Sequence, residues 1–354
     1  MINFAIAGCG RVAAVHAEAI QQAQGAKLLA VCDTNEERLY SFAQNYGAVS
    51  AFVDFRAMIN DPAIDVVNIC TPNALHAEMA IQAMEKGKHV MIEKPMALSI
   101  RDADRIIETA KKHHVKATVV HQNRFNEAVQ TTRKALEEGK FGKMAYGTAN
   151  IRWRRGKEYY DQDAWRGTAA MKDGVLMNQC IHTIDLLIWL MGPVKSVMGK
   201  TATRTVDIEM EDIGTALLEF QDGSIGVVEG TGAIYPADLG ASLNLFGENG
   251  TVCIGGNAAN QIEKWRFSTS FHKEESKMVS DQSNLPDSVY GEGHKTIVTD
   301  FIRAIQTDTE PYVSLKDGKA AIQVILAIYE SSKTGKAVDL GTKRDTKKNT
   351  LLSG

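Results

Sequence analysis

Through the first third of the chain, short apolar runs alternate with amphipathic stretches, and each run is closed by a glycine, a proline or a polar residue. Ile2–Ala7 leads into a helical pattern, and a second apolar run over 28–32 stops at Asp33. A helix over 36–45 precedes a short strand at 49–53. The helix at 55–60 stops before Asp61-Pro62, because a residue ahead of proline is pushed out of helical geometry. Further strands fall at 66–70, 89–92 and 116–121. The helices between them, 74–86 and 100–113, have Asn73 and Ser99 placed as N-caps. Six strands alternating with helices predict parallel pairing through right-handed crossovers, a doubly wound α/β sheet.

From about Asn123 the rhythm lengthens. A helix over 125–138 ends at Gly139, residues 143–153 read as a long strand, and a glycine-started helix covers 175–191. Strand-like segments follow at 194–204, 213–221, 224–234, 242–246 and 251–254. Asp222-Gly223 and Glu248-Asn249-Gly250 supply hairpin turns among them. Helices at 294–307 and 316–332 close the pattern. The prediction is an α+β domain with a large, open, mostly antiparallel sheet and helices on one face. The expected division is therefore 1–122, 123–340 and a solvated tail at 341–354. An open sheet leaves a face and edges that ask for cover. A sheet-to-sheet contact between copies, giving a homodimer or homotetramer, is expected.

Composition narrows the class. With 354 residues, 44% hydrophobic, 23% charged and a formal net charge of −3, the chain can bury two cores and has no bias toward nucleic acid or an anionic membrane surface. Its five cysteines (Cys9, Cys32, Cys70, Cys180 and Cys253) are scattered without metal-ligand spacing, so no metal is expected and small buried hydrophobes are the simpler reading. The first strand begins at the first residues, and no apolar run approaches the ~18 residues of a membrane span. The expectation is a soluble, reduced, cytoplasmic protein.

The chemistry begins at Gly8-Cys9-Gly10-Arg11-Val12-Ala13, a G-x-G-x-x-A turn between a strand and a helix. Gly8 permits the tight turn, Gly10 lets the backbone approach a pyrophosphate, and Ala13 packs helix on strand. The helix N-terminus offers free N–H groups to phosphates. Asp33, twenty residues past Ala13, stands where a carboxylate meets ribose hydroxyls and repels a 2′-phosphate, which favours NAD over NADP. Ligands of doubly wound sheets collect at the carboxyl ends of the strands. That rule adds Thr71, Pro72 and Asn73 with His76, and then Glu93-Lys94-Pro95. In the second half, Asn178 and His182 lie one turn apart on an otherwise apolar helix. Arg152 and Arg154 point to the same side of a strand, which suits bidentate grip of a carboxylate or diphosphate as well as a plain solvated face. Tyr159, Tyr160 and Trp165 could stack on a sugar or base, or only pack their loop.

Taken together, Gly8–Ala13, Glu93-Lys94-Pro95 and Asn178–His182 give a chain that resembles the glucose–fructose oxidoreductase / inositol dehydrogenase (Gfo/Idh/MocA) family over roughly residues 2–338. The resemblance implies NAD in the first domain, held by Gly8, Gly10, Arg11, Val12, Asp33, Thr71, Pro72, Asn73, His76, Glu93, Lys94 and Gln122. It also implies a sugar or cyclitol against the second sheet. Most of the family carries Asp where this chain has Asn178, which removes a titratable group and leaves a hydrogen-bonding role. Residues 121–126, 152–155, 159–161 and 165–167 resemble a narrower branch, the bacterial dehydrogenases acting on the 3-hydroxyl of UDP-N-acetylglucosaminuronic acid in surface-polysaccharide synthesis. On that resemblance Arg124, Arg152, Arg154, Arg155, Tyr160, Trp165, Arg166 and Asn178 are the expected substrate contacts. His182 is the expected base, Lys94 the stabiliser of alkoxide character, and Asn178 their aide. The alternatives are an inositol or free-sugar dehydrogenase and a non-catalytic NAD-binding regulator; the latter needs neither Lys94 nor His182.

Overall fold

Continuous apolar runs make strands buried on both faces, and the first six pair in parallel. They are β1 (Ile2–Ala7), β2 (Ala26–Cys32), β3 (Ser50–Phe52), β4 (Val66–Ile69), β5 (His89–Ile92) and β6 (Ala117–Val119), in the order β3-β2-β1-β4-β5-β6. The computed structural model describes residues 1–268 and 293–341, so the expected tail lies outside the described residues except for Gly341. The helices α1 (Arg11–Gln22), α2 (Glu36–Tyr46), α3 (Phe55–Ile59), α4 (His76–Glu85) and α5 (Ile100–His113) form the crossovers. Strand order reverses between β1 and β4, which opens a crevice at their carboxyl ends. Ser99 caps α5 through the Asp102 N–H as expected. Asn73 does not cap α4. It starts a single 3₁₀ turn that moves the helix start to His76, beyond reach of its Oδ1, and its Nδ2 donates to the Met171 carbonyl of the second half at 3.2 Å.

A 3₁₀ turn (Gln122–Phe125) and α6 (Glu127–Glu137) lead into the second half, where a short helix, α7 (Lys157–Tyr160), follows the first strand. Its strands are β7 (Met144–Arg152), β8 (Val194–Ala202), β9 (Ile213–Phe220), β10 (Ile225–Thr231), β11 (Gly240–Gly247), β12 (Gly250–Gly255), β13 (Gln261–Phe267) and β14 (Val338–Asp339). They form one sheet in the order β13-β12-β11-β7-β10-β9-β8-β14, antiparallel except for the parallel pair β7–β10. β13 and β14 were not among the expected strands. A register shift opposite β13 puts its buried residues at Ile262, Trp265 and Phe267, which breaks the two-residue alternation that marks a strand.

One face of this sheet is covered by α8 (Ile181–Met191) and by the helix Leu315–Thr334. The helices lie close because glycines face them. A Cβ on Gly147 would sit 2.2 Å from Met191 Sδ, and one on Gly199 would sit 2.8 Å from Ile328. The other face is open among the described residues. It leaves Met198, Leu217, Ile225 and Tyr146 exposed beside the polar pairs Asn150–Ser242 and Thr148–Asn244. No described helix is long and apolar enough to cross a membrane.

Candidate active site

A cleft of about 1120 Å³ runs from the β1–α1 turn to the covered side of the second sheet. That exceeds the roughly 300–1,000 Å³ of a site for one drug-sized ligand. The first-domain wall holds every expected cofactor residue. Gly8, Gly10, Arg11 and Val12 form one end, Asp33 the next, and Thr71, Pro72, Asn73 and His76 follow. Glu93, Lys94 and Gln122 lie at the junction with the second half.

The turn fits a dinucleotide. Gly8 has φ +89°, and a Cβ there would meet the Cys70 carbonyl oxygen at 2.7 Å. Gly10 faces open space, with nothing within 4 Å of an added Cβ, and no side chain caps the α1 N-terminus. An uncapped helix end below a turn with room at Gly10 is what a pyrophosphate needs. The Asp33 carboxylate is held in place by the N–H groups of Cys9 (2.9 Å) and Asn35 (2.8 Å). Arg11 crosses the cleft to Gln162 Oε1 at 2.8 Å, tying the turn to the second half. NAD bound along this wall would place its reactive ring toward Lys94.

Lys94 leaves the end of β5 and donates from Nζ to the Asn178 backbone carbonyl (2.8 Å) and to Asn178 Oδ1 (3.1 Å). The carbonyl comes from a π-type turn, Leu176–Cys180, that precedes α8; such turns displace the regular helical ladder. Glu211 holds the start of this segment: its Oε1 accepts from the Leu176 N–H and the Tyr329 hydroxyl, both at 3.0 Å. Burial pushes its carboxyl up to about 7, against the pull of those hydrogen bonds. Burial also lowers the Lys94 pKa, while Glu93 and Asp173 act to raise it.

Behind Lys94, His16 Nε2 lies 2.8 Å and His294 Nε2 3.9 Å from Glu93 Oε1. Burial pushes the Glu93 carboxyl up, but the two imidazoles outweigh it and hold it well below the usual carboxylate range. His76 lies against the Pro95 carbonyl (2.8 Å) and the Thr71 carbonyl (2.6 Å), joining two strand-end loops. His182 lines the cleft one turn beyond Asn178. Burial, then Lys94 and His121, hold its pKa well below 6.5, so the imidazole is neutral at pH 7.

The substrate-side residues divide by strand parity. Ile151, Trp153 and Arg155 line the cleft, and Tyr159, Trp165 and Arg166 join them from the following loop. The Arg155 guanidinium lies over Trp153 (4.7 Å) and Tyr159 (5.1 Å); its Nη1 donates to the Arg154 carbonyl (2.7 Å) and lies 3.4 Å from Asp238, while its buried Nε has no hydrogen-bond partner. Arg166 pairs with Asp163 at 3.0 Å and donates to the Tyr159 hydroxyl at 2.6 Å.

Four expected substrate contacts lie elsewhere. Arg152 points to the open face of the sheet, paired with Glu229 by two bonds of 2.7 Å. Arg154 shares its parity: its N–H donates to Asp238 and its side chain pairs with Glu158. Neither arginine lines the cleft. Tyr160 is buried behind the loop, and Tyr159 takes the place at the wall. Arg124 is 1% exposed and grips Asp185 of α8 with two bonds of 2.7 Å, so its charge is consumed in the core. Asp173, Trp153 and Gln162 were not among the expected site residues, and Tyr159 was expected only as a ring that stacks on a ligand or packs its loop. The parity of Ala149 and Ile151, the apolar members of β7, would have revealed Trp153 and Arg155.

Residues 2–121 match the oxidoreductase family described as the NAD-binding Rossmann fold of GFO/IDH/MocA, and residues 133–340 match its C-terminal alpha/beta domain. Among solved structures, the chain is similar to the WlbA dehydrogenase from Bordetella pertussis in complex with NADH and UDP-GlcNAcA. The identity is 36% and the TM-score 0.87, over 96% of this chain and 99% of that one. The Chromobacterium violaceum WlbA dehydrogenase, in complex with the same two ligands, is 35% identical with a TM-score of 0.88, over 96% of each chain. The myo-inositol 2-dehydrogenase of Thermotoga maritima is 25% identical over 96% of this chain and 98% of its own.

Proposed function

The chain belongs to the GFO/IDH/MocA oxidoreductase family, and from that premise we propose that it oxidises a secondary hydroxyl of a sugar with NAD, the substrate being UDP-N-acetylglucosaminuronic acid and the site its 3-hydroxyl. Bound NAD supplies the hydride acceptor. His182, neutral because burial disfavours its charge, takes the hydroxyl proton. Lys94 donates to the same oxygen and stabilises the negative charge that develops as the hydride leaves. Asn178 holds Lys94 in place through two hydrogen bonds. A regulator that only binds the cofactor would need neither a base nor an ammonium group at this junction.

The observation that carries the substrate assignment is Arg155. A guanidinium at the cleft wall, set over two aromatic rings and held only at 3.4 Å by Asp238 through Nη1, suits a carboxylate or diphosphate better than a neutral cyclitol. A charge-assisted hydrogen bond is worth roughly 1.5–3 kcal/mol, or about 10- to 150-fold in kcat/KM. Arg155→Met should therefore lower kcat/KM for the uronate by that factor and change its 6-hydroxymethyl counterpart little. Equal losses on both would remove Arg155 from carboxylate recognition.

A further inference from the structure

Asn178 receives the Lys94 ammonium on its amide oxygen, and an amide can be turned end for end at little intrinsic cost. Its other end meets Asp173: Asn178 Nδ2 donates to Asp173 Oδ1 at 2.5 Å and, more loosely, to the Tyr159 hydroxyl at 3.3 Å. The remaining Asp173 oxygen, Oδ2, accepts the Gly167 N–H at 2.9 Å. Asp173 is 1% exposed, and the loop that carries it is pinned by Lys172, whose Nζ donates to the Leu98 carbonyl at 2.8 Å. Turned over, the amide would set its NH₂ against an ammonium and its oxygen against a carboxylate. Both contacts are repulsive, and Asp173 is too buried for water to relieve its side.

We propose that Asp173 is a positioning residue. It fixes the orientation of the Asn178 amide, and through it the place and charge of Lys94, so that a carboxylate from the loop provides the negative charge that residue 178 lacks. The inference rests on Lys94 acting on the substrate oxygen, as set out above. The charged and titratable groups that face Lys94 are Glu93 beside it, Asp173 and Arg166 from the loop, His182 on α8, His121 after β6 and His76 on α4. Only Glu93 and Asp173 favour its protonated form. Glu93 is already engaged by His16 and His294, which leaves Asp173 as the carboxylate that reaches Lys94 through a side chain of the site.

The test compares wild type, Asp173→Asn, and the exchange Asp173→Asn with Asn178→Asp, all with NAD bound. The Lys94 side chain is titrated by ¹³C NMR, and kcat is measured against pH on a sugar that the wild type oxidises. Asp173→Asn keeps an acceptor for the Gly167 N–H but removes the charge. The Lys94 pKa should fall by about one unit, and kcat should fall about 10-fold or more. The alkaline limb of kcat should move down with Lys94, because activity needs the ammonium and is lost as pH rises through its pKa. The acid limb, set by protonation of His182, should stay in place. The exchange variant should regain most of the lost kcat and the higher Lys94 pKa, and it carries the comparison if the single variant does not fold. A loss of stability with the Lys94 titration and the alkaline limb unmoved would make Asp173 merely structural and overturn the proposal. If the wild type oxidises neither uronates nor neutral sugars, the proposed reaction fails, while the Lys94 titration still decides the role of Asp173.

Discussion

Replacing Arg124 with methionine leaves Asp185 charged in the core, with its two 2.7 Å partners gone. Both side chains are 1% exposed, so water cannot take over. The nearest remaining basic group is His121, 3.8 Å from Asp185 Oδ2, and burial lowers its pKa and keeps it neutral. Breaking one side of a buried ion pair costs about 3–5 kcal/mol. The guanidinium also lies 5.0 Å from the centroid of Trp189, a contact worth roughly 0.5–2 kcal/mol. Asp317, 3.3 Å away, is 30% exposed and keeps its two bonds from Ser314, so its loss adds less. Urea unfolding of Arg124→Met should therefore show a loss of about 3–5 kcal/mol. The double variant Arg124→Met, Asp185→Leu should recover much of it, because an apolar pair of similar volume often replaces a buried ion pair without penalty. Folded enzyme from either variant should keep its preference between a uronate and a neutral sugar. Wild-type stability together with a selective loss of the uronate would return Arg124 to the substrate face.

The two glycines of the first turn should part company. Gly8→Ala forces a side chain into φ +89° and against the Cys70 carbonyl, and should destabilise the unliganded protein by about 1–3 kcal/mol or more. Gly10→Ala meets nothing within 4 Å, so it should unfold like the wild type yet lose at least about 10-fold in NAD affinity by calorimetry, since the methyl enters the phosphate cradle. Unchanged NAD binding by Gly10→Ala would move the pyrophosphate elsewhere. The open face of the second sheet, with Leu217 51% and Met198 54% exposed, should be covered by a second copy. Sedimentation at micromolar concentration should report a dimer or tetramer, and Leu217→Lys should shift it toward monomer; a monomeric wild type would contradict this.

The first domain was legible because its signals are local. A glycine turn, a strand end and a carboxylate twenty residues on are fixed by the chain itself, and the structure sets Gly8, Asp33, Thr71 and Lys94 along one cleft. Arg124 was misplaced because its partner stands 61 residues away, and sequence does not show which charges are spent in the core. Arg152 and Arg154 were chosen for their spacing. Spacing says that they share a side, but only the apolar parity of Ala149 and Ile151 says which side the helices cover. Asp173 reads as an ordinary loop residue beside Gly174. Its role arises from a π-type turn, a local irregularity that no hydrophobic period announces.

The most direct measurement is single-turnover NADH formation by purified protein loaded with NAD, read from bound cofactor, so that tightly held NADH is counted. UDP-N-acetylglucosaminuronic acid, UDP-N-acetylglucosamine, myo-inositol and glucose are compared at equal concentration. The account predicts rapid reduction with the uronate, at least about 10-fold slower reduction with its neutral counterpart, and little with inositol or glucose. Efficient reduction by inositol or glucose, with none from the uronate, would contradict it and make the chain a free-sugar dehydrogenase.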